Sequence, residues 1–351
     1  MWVICAKLYN ICYYNNMEKD QKIVLTGDRP TGKLHLGHFV GSIQNRVKLQ
    51  DIAERSFYMV ADMQALTDNA NNPEKVSSNV LEVTLDNLAC GVDPKKTIMF
   101  IQSKVPEIAE LTVMFLNLVT LARLKRNPTV KDEMKQKGFG ENVPAGFLAY
   151  PVSQAADILF CKSNLIPVGE DQLPVIEQVN EIVDDFNRFY GETFSRVKHL
   201  VGDTPRLMGT DGNIKMGKSL NNGIYLSDSV EVISKKVMEM YTDPNHIHVQ
   251  DPGEVKGNVV FSYLDIFDPN KDEVEELKSQ YKKGGLGDVV IKKRLIGILE
   301  NIIGPIRTRR EELAKNPEAI MKILEEGTLK AQSIAKDTMI EVRKSLKINY
   351  F

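Results

Sequence analysis

The stretch "TGDRPTGKLHLGHFVGS", residues 26–42, follows the apolar run "KIVL" and decides how the chain is read. It holds four glycines and two of the chain's five histidines, His35 and His38. The apolar run closed by glycine, "KIVLTG" (22–27), reads as a buried strand. "GHFVGSIQNRVKLQD" (37–51), with Phe39, Val40, Ile43 and Val47 at helical spacing, reads as the helix after it. A glycine-rich turn between the two exposes backbone N–H groups and lets a phosphate come close. The dinucleotide pattern GxGxxG is absent. So is the phosphate loop GxxxxGK[ST], because Leu34 stands where a hydroxyl residue is required. In their place two imidazoles flank Gly37 at a helix start, able to donate to phosphate oxygens as charge grows on them. Alone, the turn fits either nucleotidyl transfer or a capping loop with two surface histidines.

Outward from this turn, strands and helices alternate. "RSFYMVAD" (55–62) and "KTIMFIQS" (96–103) read as strands; "PEKVSSNVLEVTLDNLACG" (73–91) and "EIAELTVMFLNLVTLARLKR" (107–126) read as helices. "DILFCKSNLIPVGEDQ" (157–172) reads as further sheet-like material ending in a polar loop. This predicts an α/β fold: a doubly wound, Rossmann-like parallel sheet with right-handed crossovers. Beyond about residue 225 the segments are charged and helix-periodic, which predicts an α-helical second domain. The expected division is an N-terminal extension over 1–16, a catalytic domain over 17–225 and a helical domain over 226–351. Residues 1–16 are apolar, but Lys7 and Asn10 interrupt them and no small-residue cleavage site follows, against a secretory signal. Met17 reads as a natural start.

Bulk properties narrow the classes. A formal net charge of -2 argues against wholesale electrostatic binding to nucleic acid, though not against a local basic patch. No apolar run reaches membrane-spanning length, so no membrane is expected. The four cysteines (5, 12, 90, 161) show no CxxC spacing, so no zinc site is expected; their scatter suits a reducing cytoplasm.

Far downstream, "NIKMGKSLNN" (213–222) places Lys215 and Lys218 three apart beside Gly217, with Ser219 as a hydroxyl donor. Such a run could hold departing phosphates. The pair HLGH and KMGKS resembles the HIGH and KMSKS signatures of class I aminoacyl-tRNA synthetases, and the resemblance spans nearly the whole chain from Met17 on. It implies activation of an amino acid by ATP, with Mg²⁺ on the phosphates, and then transfer to tRNA.

In "AYPVSQAADILFCKSNLIPVGEDQLPVIEQ" (149–178), Tyr150, Gln154 and Asp157 fall at i, i+4 and i+7, one face of a helix if Pro151 opens it. An acid sunk among the apolar residues of "AADILF" needs a partner. An indole N–H or a phenol O–H would serve. The run resembles the centre of tryptophanyl-tRNA synthetases, with the related tyrosyl enzymes as runner-up. By that resemblance Asp157 reads the indole of L-tryptophan. Tyr150, Gln154 and Gln172 lie near the amino acid's polar head, with Gln64 and Gly27 in the pocket wall. Arg29, Pro30, Thr31, Gly37 and His38 meet ATP, as do Gly169, Glu170, Asp171, Leu207, Met216 and Gly217. His35, His38, Lys131, Lys215, Lys218 and Ser219 stabilise the reacting phosphates.

Two departures stand out. Arg29, within "GDRPTG", replaces the glutamine of many bacterial members, and Gly217 replaces the serine of KMSKS. With no cysteine after Cys161, the iron–sulfur cluster of some members is not expected. The resemblance implies tRNA(Trp) as partner and a homodimer. The helical domain would read the anticodon, with "IKKR" and "RTRR" as candidate phosphate contacts. The rivals are a cytidylyltransferase and a synthetase-like sensor.

Overall fold

A computed structural model describes residues 22–201, 207–213, 216, 217, 220 and 222–351. The expected extension over 1–16, and Lys215, Lys218 and Ser219, lie outside the described residues. Five parallel strands make one sheet: β1 (Ile23–Asp28), β2 (Arg55–Val60), β3 (Thr97–Ile101), β4 (Leu165–Val168) and β5 (Lys198–Val201), in the order β3-β2-β1-β4-β5. The chain builds outward from β1 to β3, then returns to place β4 on the other side of β1. The sheet reverses direction of growth between β1 and β4, where doubly wound folds open a crevice at the carboxyl ends of the strands.

The helices over the first half are α1 (beginning at Leu36–His38 and ending as Gln44–Leu49), α2 (Asp62–Asn69), α3 (Pro73–Ala89), α4 (Pro106–Leu116), α5 (Leu121–Arg126), α6 (Pro128–Lys137), α7 (Ala145–Leu159) and α8 (Leu173–Tyr190). Between its two ends α1 widens to a π-turn over Phe39–Ile43, where the Gln44 N–H reaches back to Phe39. Such turns recur at functional sites. The helix expected over 107–126 is broken after Leu116: the Asn117 side chain donates to the Val113 carbonyl, and Thr120 caps a new helix at the Arg123 N–H. Pro151 does not open its helix but lies inside α7, which carries Asp157 to within its last turn. Of 157–172, only 165–168 is strand.

The second half holds α9 (Val230–Met238), α10 (Val259–Phe267), α11 (Lys271–Lys283), α12 (Asp288–Leu313) and α13 (Pro317–Ser345). Among the described residues no helix is long and apolar enough to cross a membrane. Alternation along the strands divides the core. Tyr58 and Val60 face a cluster that runs through Leu34, Leu36 and Val83 into Val260, Leu295 and Ile303; Phe57 and Met59 face another, built with Phe100, Ile158, Val179 and Met339. Both layers use helices from beyond residue 225. Helix α13 covers the open edge of β3: the Thr328 hydroxyl accepts from the Ile101 N–H, and Gly327 lies so near the Met99 carbonyl that no side chain fits.

The basic runs turn inward. Lys292 is buried and donates to the Met238 and Met240 carbonyls; Arg294 pairs with Asp268 and Glu273. Arg307, Arg309 and Arg310 bond Asp228, Ala89 and Asp86. Most of these side chains thus join elements within the molecule; Lys293 in "IKKR" and Arg309 in "RTRR" are exposed.

Candidate active site

A cleft of about 1880 Å³ opens at the reversal point. One wall is the turn after β1. His35 caps α1: its Nδ1 accepts from the Gly37 N–H at 3.1 Å, and His38 Nδ1 accepts from the His35 N–H at 3.2 Å. With each Nδ1 an acceptor, a neutral ring carries its proton on Nε2, the tautomer that donates outward. The two rings stand 3.9 Å apart. A Cβ at Gly37 would come within 3.0 Å of the His35 ring, so glycine there keeps the pair in place.

The turn is gripped on both sides. Asp86, on α3, accepts from the Leu34 N–H at 2.7 Å. Leu36 donates to the Ile224 carbonyl, Leu226 donates to that of Leu34, and His35 bridges Tyr225. The stretch just after KMGKS is thus hydrogen-bonded to HLGH. Met216 packs 3.6 Å from the Gly37 Cβ position, and the Asn222 side chain accepts from the Gly217 N–H. Met216, Gly217 and Leu207 line the cleft with Gly27, Arg29, Thr31, His35, Gly37 and His38.

The facing wall is the end of β4, with Gly169, Glu170 and Asp171. The Thr129 hydroxyl, on α6, holds the Asp171 carbonyl at 2.7 Å, and the Gln172 amide donates to the Asp171 carboxylate. Asp157, near the end of α7, is 2% exposed and does not line this cleft. Its Oδ1 accepts from Gln102 Nε2 at 2.7 Å and its Oδ2 from Gln64 Nε2 at 3.3 Å. Burial pushes its carboxyl up to about 7 against the pull of these two amides. On the same helix face, the Tyr150 hydroxyl and Gln154 Oε1 are buried without a partner in hydrogen-bond geometry. Burial and the nearby Glu133 carboxylate push the Tyr150 phenol up, while Arg29 opposes them.

A second buried carboxylate lies under the turn. Asp28 accepts from Arg46 at 2.8 Å and Asn87 at 3.0 Å, and the guanidinium stacks 4.6 Å above the Tyr58 ring. Burial alone would raise its carboxyl; the Arg46 charge and these hydrogen bonds hold it far below the usual range.

Not every expected residue reaches the cleft. Lys131 is exposed on α6 and Pro30 is buried in the turn; neither they nor Gln64, Tyr150, Gln154, Asp157 and Gln172 line it. In their place come Lys33, Lys75 and Lys137. Arg29 and Lys137 share Asp68 Oδ2, at 2.9 and 3.0 Å, so this trio carries one net positive charge. The sequence signal for Lys137 is the glycine after it: Gly138 ends α6 with a positive φ of 65° and so sets where the helix's last lysine stands.

Known proteins bear on the whole chain. Residues 17–303 match the model of the family described as tRNA synthetases class I (W and Y). A tryptophan–tRNA ligase of Clostridium longisporum is 56% identical over 94% of this chain and 98% of its own length. One from Streptococcus agalactiae is 53% identical over 94% and 98%. The crystal structure of Campylobacter jejuni tryptophanyl-tRNA synthetase complexed with ADP and tryptophan superposes with a TM-score of 0.80 at 30% identity, covering 93% of this chain and 99% of that one.

Proposed function

The chain belongs to the class I tryptophanyl-tRNA synthetases, and we propose that its cleft joins L-tryptophan to ATP and then delivers it to tRNA(Trp). Asp157 carries this reading. It is a buried carboxylate held by two neutral amides, with acceptor capacity left on its oxygens, on the helix face that also carries the buried Gln154 Oε1 and the Tyr150 hydroxyl beside Glu133. An indole N–H meets the first need. The ammonium and carboxylate of an amino acid meet the others at Tyr150 and Gln154, near Gln172.

ATP lies along the Gly37–His38 turn, with Gly169, Glu170, Asp171 and the Leu207 backbone at its ribose and adenine. The tryptophan carboxylate oxygen forms a bond to the α-phosphorus. The bond from that phosphorus to the bridging oxygen breaks, and its electron pair leaves with pyrophosphate. His35 and His38 donate from Nε2, and Lys215, Lys218 and Ser219 close on the leaving phosphates. No side chain becomes covalently attached; positioning and fixed donors lower the barrier. Mg²⁺ would arrive on the phosphates, where it would neutralise their charge. Arg29 and Lys137 supply the charge at the mouth, a role the resemblance gave to Lys131.

Residues 226–351 present the anticodon-reading surface, and 17–225 the catalytic one. Exposed Val113 (63%) and Leu121 (68%), on α4 and α5, support a homodimer joined there. The enzyme works in the cytoplasm, where tRNA is charged.

The test is exchange of labelled pyrophosphate into ATP with each amino acid in turn, followed by charging of tRNA. Tryptophan alone should drive both. Exchange driven by tyrosine, or exchange without charging, would overturn the proposal.

A further inference from the structure

The "RTRR" run lies far from the cleft in sequence, yet two of its arginines reach both flanks of the HLGH turn. Arg310 Nε donates to Asp86 Oδ1 at 2.6 Å, and Oδ2 of the same carboxylate accepts from the Leu34 N–H at 2.7 Å. Asp86 is fully buried, so these are its means of balancing the loss of water. Arg307, three residues earlier and so on the same face of α12, donates from Nη1 to the Asp228 carbonyl at 2.8 Å. The Asp228 carboxylate accepts from the Tyr225 N–H at 2.8 Å, and Tyr225 bridges His35. Lys236 tightens this side by donating to both Asp228 and the Gly223 carbonyl. One face of α12 therefore holds Leu34 through Asp86 and His35 through Asp228 and Tyr225.

We propose that Arg307 and Arg310 are positioning residues for adenylate formation: α12 acts through Asp86 and Asp228 as a clamp that fixes the HLGH turn. The inference rests on the reading of that turn as the place where the α-phosphate is activated. Its chemistry is geometric. A hydrogen-bond donor must be held to a fraction of an ångström to favour a transition state over bound substrate. A turn of glycines and histidines cannot hold itself so rigidly, because glycine leaves its backbone mobile. A side chain that merely joined two domains would affect stability and leave catalysis alone. Arg309 is such a side chain: it lies in the same run and donates to the Ala89 carbonyl at 2.7 Å, with no link to the turn.

The test compares R310M, R310K and R309M in the full chain, reading tryptophan-dependent pyrophosphate exchange and hydrogen exchange at the Leu34 amide. R310M should lower kcat about tenfold with KM for tryptophan within about twofold, and should speed exchange at Leu34. R310K, which keeps the charge, should recover part of both. R309M should leave both at the wild-type level. Should R310M fail to fold, R310K decides, with kcat and Leu34 protection both below wild type. An unchanged kcat in the Arg310 variants, an equal loss in R309M, or unaltered Leu34 protection would each overturn the clamp. If the wild-type chain shows no tryptophan-dependent exchange, the functional reading falls, while the Leu34 amide still tests the clamp separately.

Discussion

Asp28, at the end of β1, and Asp157, held by residues just beyond β2 and β3, are both buried carboxylates, and they are held in opposite ways. Asp28 faces a guanidinium and an amide, and its carboxyl is held low. Asp157 faces two neutral amides and no cation, and burial pushes it up to about 7. The first is a closed ion pair that fastens β1 to α1 and α3. The second is an unfinished one. A carboxylate left so poorly compensated costs stability, and structures keep such groups where a ligand completes them.

The contrast can be broken most directly at Asp157. Asp157→Ala should lower kcat/KM for tryptophan about a thousandfold, because a site built on a buried hydrogen bond fails when one side is deleted. Preserved selectivity for tryptophan over tyrosine in exchange assays would remove its indole role. Arg46→Met should act the other way: about 3–5 kcal/mol of stability lost in denaturant unfolding, since Asp28 is left buried and unpaired, with the tryptophan-to-tyrosine ratio unchanged.

Acid should separate the two further. The folded carboxyl of Asp28 lies below its unfolded value of about 4, so its stabilisation is present above that pH and lost as pH falls below it. Asp157 lies above its unfolded value; its contribution is full below about pH 4 and lost as pH rises toward about 7, at about 1.4 kcal/mol per pH unit. Unfolding measured across this range should show Asp157→Ala gaining on wild type from pH 4 to 7, and Arg46→Met closing its deficit below pH 4. Parallel pH profiles for the two variants would erase the distinction. The smallest effect belongs to Tyr150→Phe. Deleting a buried hydroxyl whose neighbour is the Glu133 carboxylate should cost at most about 1 kcal/mol of stability, while KM for tryptophan rises about threefold to tenfold. A large loss of stability would mean that the hydroxyl is already satisfied without substrate.

Local chemistry explains which parts were readable from sequence. The turn from Gly27 to His38 carries its glycines and histidines in contiguous residues, and strand-helix alternation announced the parallel sheet. Asp157 was legible because a lone acid among apolar neighbours is costly wherever it is placed. Contacts between distant segments were not legible. Lys137, rather than Lys131, lines the cleft because Gly138 ends its helix there and Asp68, on α2, draws the ammonium in. The break after Leu116 hangs on one Asn117 side chain returning to its own helix. The internal partners of "RTRR" were not legible because a charge run shows its sign and not its partners; Asp86, far earlier in the chain, supplies one.

The central claim is that Asp157 holds an acceptor for the indole N–H. The most direct measurement is the calorimetric affinity of the wild-type enzyme for tryptophan and for the isostere with sulfur in place of that N–H, at pH 8, where Asp157 is ionised. Tryptophan should bind about tenfold to a hundredfold more tightly, with the gap absent in Asp157→Ala. Equal affinity of the wild-type enzyme for the two ligands would contradict the account.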